Sequence, residues 1–192
     1  MTKRESNFIN MVLTLFIIAL ISSSLLGVVY EQTKGPIAKV ALEKKTKAIA
    51  EVVPAFDNNP LEDVRNINID GEAVTVYLAK KQNKIVGLAI DTFTLKGFSG
   101  LIRLMVGILP DGTINNTVVL KANETPGLGD KIQKSKSDFS DQFNGKNPSN
   151  FILKVKQDGG DVDAITAATI SSRAFCDAVK RAYKVYLKEI KE

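Results

Sequence analysis

The chain contains no histidine and a single cysteine, Cys176. Without histidine it lacks the commonest general base and the commonest metal ligand, which excludes histidine-based hydrolytic triads and histidine zinc sites. One cysteine allows neither an intramolecular disulfide nor a thiolate metal cluster. Basic residues number 26 against 21 acidic ones, giving a net charge of +5. The lysines are scattered and no basic run interleaves with aromatics, so nucleic-acid binding has no support. A chain this poor in catalytic side chains, if it takes part in chemistry, borrows that chemistry from a cofactor. Its 192 residues accommodate one domain of ordinary size plus an appendage.

Among what is present, Phe8 to Tyr30 carries no charge. As a helix it spans roughly 34 Å, enough to cross a bilayer core of about 30 Å. A cleaved signal peptide is the alternative, but the apolar region exceeds the usual length and no clear A-x-A site follows it. No cysteine lies near its end, which excludes a lipoprotein, so an uncleaved single-pass anchor is expected. Lys3 and Arg4 precede this span; Lys34, Lys39, Lys44, Lys45 and Lys47 follow it. The positive-inside count would leave the following domain in the cytoplasm, yet long domains translocate largely regardless of charge. Sidedness stays open on charge alone.

The expected organisation is a tail and anchor over 1–30, a helical connector over 31–63 and a domain over 64–192. In the connector, Ile37, Val40, Ala41, Ala48, Ile49 and Val52 form one apolar stripe, with a break at Gly35-Pro36 and a stop at Pro54. From Arg65 the period becomes two. Asn66–Ile69 and Ala73–Leu78 flank the turn dipeptide Asp70-Gly71, and Gln82-Asn83 offers a second turn before Ile85–Leu95. Leu101–Leu109 is a nearly continuous apolar run, hence a central strand, and Pro110-Asp111-Gly112 turns it into Thr113–Leu120. Lys131–Phe143 has a short helical pattern, and Phe151–Val155 is a further strand candidate. The fold class is α+β: an antiparallel sheet with flanking helices behind a transmembrane helix.

The clearest element is the last. Ala174/Phe175, Ala178/Val179, Ala182/Tyr183, Tyr186/Leu187 and Ile190 recur at helical spacing, with Lys180, Arg181, Lys184, Lys188 and Lys191 on other faces. This places a helix over Ser172–Ile190, with Cys176 as an inert packing residue. Directly ahead lies Asp163-Ala164-Ile165-Thr166-Ala167-Ala168-Thr169-Ile170-Ser171-Ser172. Two readings fit it. It is an ordinary helix cap supplied by Ser or Thr, or an anion seat where free N–H groups and the helix dipole hold a phosphate near Thr169.

Three blocks occur in one order: Gly97-Phe98-Ser99-Gly100, then Glu124-Thr125-Pro126-Gly127-Leu128-Gly129, then Asp163 through Thr169. Together they resemble the covalent FMN-binding domain of the G subunit of the Rnf electron-transport complex, related to the C subunit of the sodium-pumping NADH:quinone reductase. The resemblance covers the anchor and nearly all of the domain. In that family the threonine of a D-x-x-(S/T)-G-A-T motif bears FMN through a phosphoester bond. Asp163, Thr166, Ala168 and Thr169 match, which implies Thr169 as the attachment point, with Ser171 nearby. Ala167 departs from the usual glycine, at a cost if the position needs positive φ. Asn123 stands close to where relatives often show histidine, and no role of that histidine carries over.

The resemblance implies a separate flavin transferase that uses FAD and Mg²⁺, leaves FMN on the threonine and releases AMP. It implies that the loops Glu124 to Gly129 and Gly97 to Gly100 border the flavin ring, with Glu124, Thr125, Gly127, Leu128, Gly129, Ser99 and Gly100 singled out; turn chemistry alone is the other reading of these loops. Arg173 is either a second phosphate partner or a solvated side chain. No metal site is expected and no independent catalysis. The implied role is an electron relay among the membrane subunits of an Rnf-type complex coupling ferredoxin and NAD to ion transport, in the bacterial inner membrane with the domain outside the cytoplasm. A flavin carrier outside Rnf and a flavin-free scaffold are the alternatives.

Overall fold

The computed structural model describes residues 7–69 and 71–189. The chain divides into two compact units between Glu43 and Lys44. The first contains most of α1, an α-helix over Phe8–Val52. From Phe8 to Glu43 every residue of it is exposed. Its best 18-residue window has a mean hydropathy of 2.6, so it is long and apolar enough to cross a membrane. Several polar side chains in it are satisfied within the helix: the hydroxyls of Thr14, Ser23 and Ser24 donate to carbonyls four residues earlier at 2.7–2.8 Å. The break expected at Gly35-Pro36 does not occur, because α1 continues through Pro36. Proline removes one rung of the hydrogen-bond ladder, and the long runs on either side keep theirs. Lys3 and Arg4 lie outside the described residues.

The second unit is built on a five-stranded antiparallel meander: β1 (Val64–Ile69), β2 (Glu72–Lys81), β3 (Lys84–Gly97), β4 (Gly100–Ile108) and β5 (Ile114–Ala122), paired in sequence order. Asp70, half of the first expected turn, lies outside the described residues. At the second turn Gln82 and Asn83 have φ of 49° and 61°; a two-residue loop that follows the strand twist needs both in the left-handed region. The apolar run Leu101–Leu109 becomes β4, an inner strand between β3 and β5.

Alternation sorts the strands' side chains onto two faces. On one, Val76, Ile90, Leu104 and Val106 are buried beneath α2 (Thr169–Glu189), which contributes Phe175, Ala178, Val179 and Ala182. Phe139 and Phe143 meet Phe175 at ring separations of 5.4 and 4.9 Å. On the other face, Tyr77, Ala79, Ala89 and Met105 pack against Ala48, Ile49, Val52 and Val53. The compact unit therefore begins at Lys44, ahead of the boundary expected at 64. Of the expected stripe, only Ala48, Ile49 and Val52 are buried; Ile37, Val40 and Ala41 are exposed in the first unit. Asn115 and Asn116 cap the end of α1, donating side-chain N–H to the carbonyls of Val52 and Glu51 at 2.8 and 3.1 Å. Asp91, inaccessible on this face, accepts two hydrogen bonds from Arg103 at 2.6 and 3.0 Å and pairs with Lys45 at 3.1 Å.

Three local expectations are corrected. Lys131–Phe143 is not one helix but two 3₁₀ turns, Gly129–Ile132 and Phe139–Phe143. Between them the Ser137 hydroxyl donates to the Lys131 carbonyl at 2.6 Å and accepts from the Phe139 N–H at 3.1 Å, taking groups a helix would use. Phe151–Val155 is not a strand: Asp161 accepts the Ile152 N–H at 2.6 Å, and only a single bridge joins Val155 to Val162. Finally, α2 starts at Thr169, not Ser172. Ile190 and Lys191 lie outside the described residues.

Candidate functional site

The start of α2 is set by a turn at Ile165–Ala168, closed by the Ala168 N–H donating to the Ile165 carbonyl at 3.0 Å. Within it Ala167 has φ of +62°. An L-residue held there costs roughly 1–2 kcal/mol, so the surroundings must impose it. The buried Ser172 hydroxyl does so: it accepts the Ile165 N–H and donates to the Ala168 carbonyl, each at 3.0 Å. One side chain thus ties both ends of the turn to the helix.

The residue ahead of α2 is Ala168, so no side-chain oxygen occupies the cap. Among the described residues, no protein acceptor meets the N–H groups of Thr169, Ile170 or Ser171. Free N–H groups and the positive end of the dipole favour an anion at this point. They open onto a cleft of about 330 Å³, lined by three segments: Phe98 from the β3–β4 hairpin, Glu124, Thr125, Leu128 and Gly129 after β5, and residues 167–171. The half-buried Thr169 lines it directly.

Glu124 holds these segments together. Its buried carboxylate accepts the Ser99 N–H at 3.1 Å through Oε1, and the Ser171 hydroxyl through Oε2. A Cβ at Gly97 would lie 2.7 Å from Oε1, and one at Gly129 2.7 Å from Oε2. The glycines of two separate blocks therefore make room for one carboxylate.

The FMN-binding domain family matches residues 97–184, from the β3–β4 hairpin well into α2. The chain is 39% identical over 178 residues to the G subunit of the ion-translocating oxidoreductase complex of Erwinia tasmaniensis, covering 88% of this chain and 84% of that protein. It is 35% identical over 180 residues to the protein of the same description from Cereibacter sphaeroides, covering 91% and 82%. It is 31% identical over 187 residues to the G subunit of the Na(+)-translocating ferredoxin:NAD(+) oxidoreductase complex of Acetobacterium woodii, covering 91% and 89%.

The chain belongs to the G-subunit family of ion-translocating oxidoreductase complexes.

For a member of this family the cleft has the features FMN requires. Its volume lies within the roughly 300–1,000 Å³ of small-molecule sites. The N–H groups of α2 suit a phosphate, the Thr169 hydroxyl has no protein partner among the described residues, and apolar side chains suit a flavin ring. Of the residues expected from sequence, Thr169, Ala168, Ser171, Glu124, Thr125, Leu128 and Gly129 line the cleft. The hydroxyl of Ser171 is occupied by Glu124. Ser99 touches the site only through Glu124. Gly100, Gly127, Asp163 and Thr166 do not line it. Gly100 and Gly127 have φ of 91° and 76°, serving turn geometry. Asp163 is exposed, pairs with Lys156 at 2.8 Å and is held through its backbone by Gln142.

Of the two readings of Arg173, the phosphate partner is corrected: its side chain is exposed and does not line the cleft. It makes two 2.7 Å hydrogen bonds to Asp158 and lines a different depression. Through the same bonds Arg173 holds the Asp158 carboxyl below its ordinary range. Phe98, 67% exposed, lines the cleft from within the Gly97–Gly100 block, though it was not singled out there, and Ile170, 48% exposed, was not expected as a contact. The signal for Phe98 was an aromatic at a two-residue hairpin tip; for Ile170, an apolar residue between hydroxyls at a helix start. Burial pushes the Cys176 thiol up to about 12, so it packs and does not react. No group of three metal-ligating side chains occurs among the described residues.

Proposed function

We propose that this chain is a membrane-anchored electron-relay subunit of an Rnf-type complex, with FMN esterified to Thr169. The observation that carries the reading is the Thr169 hydroxyl, set in the first turn of α2 beside three N–H groups without protein acceptors among the described residues, on a cleft inside the matched FMN-binding region. FMN supplies reversible electron uptake that no side chain of this chain offers. The chain's own part is to tether and orient. Thr169 fixes the phosphate end, and the phosphodiester keeps one negative charge where the α2 dipole favours it by about 0.3–1 kcal/mol. Phe98, Leu128 and Ile170 offer apolar surface to the ring. Ala167 and Ala168 leave the backbone accessible to a modifying enzyme.

Nothing near Thr169 activates its hydroxyl, since the lining holds no histidine or lysine and the Glu124 carboxylate is engaged by Ser99 and Ser171. Attachment therefore falls to a separate flavin transferase. It moves the FMN phosphoryl from FAD to the threonine oxygen, breaks the pyrophosphate bond and releases AMP. The domain lies outside the cytoplasm and α1 anchors it in the inner membrane. In-gel fluorescence after denaturing electrophoresis, in cells that express the transferase, tests the reading. Wild-type chain gives a fluorescent band and Thr169→Ala gives none. A band of equal intensity in the variant refutes the attachment site.

A further inference from the structure

Beyond the flavin cleft, α2 borders a second set of depressions. One, of about 320 Å³, lies over Leu153, Val155 and Cys176. Its neighbour, about 360 Å³, lies over Phe151, Ile152, Tyr183 and Leu187. A smaller one, about 170 Å³, adjoins them. Their charged rim carries Lys96, Lys154, Arg173, Lys180, Arg181 and Lys184 against only Asp158 and Asp177. That is an excess of four positive charges on a chain whose net charge is +5.

The rim is not uniformly neutralised from within. Arg173 pairs with Asp158, Lys96 with Asp177 and Arg181 with Glu72. Lys154 and Lys180 form no ion pair among the described residues, and both line the two larger depressions. With them the larger depression is lined by Ile152, 54% exposed, and Leu187, 43% exposed. An apolar centre bordered by charge of one sign is the anatomy of a surface that steers and then holds a protein of opposite charge.

We propose that this face docks an acidic protein surface, whose carboxylates meet Lys154 and Lys180 while an apolar side chain enters over Ile152 and Leu187. A lipid surface fits less well. Insertion into the acyl boundary favours a continuous apolar face, whereas here Ile152 and Leu187 stand among Lys154, Lys180 and Lys184. Asp158 and Asp177 would also face headgroup phosphates. A protein can space its carboxylates to meet the two lysines and avoid both aspartates. That the partner is another member of the complex rests on the function proposed above; the docking chemistry does not.

The test uses intact membranes containing the full chain and its companion subunits. A carbodiimide, which joins carboxylate to amine without a spacer, is applied before solubilisation and the linked peptides are mapped by mass spectrometry. Lys154 or Lys180 joined to an Asp or Glu of another protein is the expected product. Its yield falls about tenfold in about 1 M salt, where the screening length is about 3 Å. The Lys154→Glu/Lys180→Glu variant keeps its flavin fluorescence and melting temperature but is released from the solubilised complex at lower salt, and Lys154→Arg/Lys180→Arg restores retention. Links only to Asp158 or Asp177 of the same chain overturn the proposal. So does lysine-dependent binding of phosphatidylglycerol vesicles without intersubunit links, which would make this a lipid face. If the wild-type chain does not co-purify with the other subunits, the complex reading fails, and the links formed earlier in the membrane still decide the docking face.

Discussion

Two clefts border α2, and they are built by different means. The first, at the helix start, has no basic side chain in its lining; its anion-seeking groups are backbone N–H. The second, along the helix, is rimmed by lysines and arginines and its attraction is carried by mobile side chains. Backbone donors are fixed in place by the fold and do not titrate, which suits a permanently attached group. Side-chain charges act over a distance, are screened by salt and reorganise readily, which suits an encounter. A single helix therefore offers a fixed seat at its end and a steering surface on its flank.

The largest effect that would separate them is expected from Glu124→Ala. It removes the clip between the Ser99 N–H and the Ser171 hydroxyl and lowers stability by about 2–3 kcal/mol, the scale of hydrogen bonds to a charged group. Flavin loading falls with it, while salt-dependent docking through Lys154 and Lys180 stays. Urea unfolding with in-gel fluorescence checks this; an unchanged midpoint shows that the clip contributes nothing. Ala167→Gly acts in the opposite direction. Relief of roughly 1–2 kcal/mol of left-handed strain exceeds the extra unfolded-chain entropy of glycine, about 0.5–1 kcal/mol. Thermal melting should rise by a few degrees with Thr169 still flavinylated, and a fall would mean that the turn carries no strain.

The smallest expected effect is acid titration of the second cleft. Burial pushes the Asp177 carboxyl up, but hydrogen bonds from Lys96 and Thr94 outweigh it and its pKa is lowered. Asp158 is lowered by its hydrogen bonds to Arg173. A carboxyl with a depressed folded pKa contributes stability that is present above its unfolded value near pH 4 and is lost as the pH falls through the folded value. NMR titration should therefore place both midpoints below about 3.9. A midpoint at or above the ordinary carboxylate value for either aspartate would dissolve the contrast.

Much of this arrangement was legible in the sequence because it is local. Alternation over 64–122 gave the meander, and Gln82-Asn83 supplied residues that tolerate the left-handed region. The paired apolar positions from Ala174 to Leu187 gave α2 and its buried face. Elements failed where one polar side chain redirected the backbone: Ser137 divided the expected helix over 131–143, and Asp161 captured the Ile152 N–H that a strand would have used. Gly35-Pro36 failed in the other direction, since a local breaker lost to the helical runs around it. At the site, a loop meeting a helix is visible in sequence, but it fits an ordinary cap as well as an anion seat, and only the family resemblance singled out Thr169. Ser171 and Glu124 appeared as cofactor contacts because nothing local shows that they bind each other.

The sequence alone determined the apolar span, the antiparallel meander and the helix that follows the motif. Each depends on neighbours within a few residues, through periodicity, turn chemistry and the dipole of one helix. Tertiary structure decided what joins across long separations: Glu124 with Ser171, Arg173 with Asp158, and the last turns of α1 with the far face of the sheet. These pairings follow from which surfaces the packed sheet brings together, and a one-dimensional pattern does not contain that geometry.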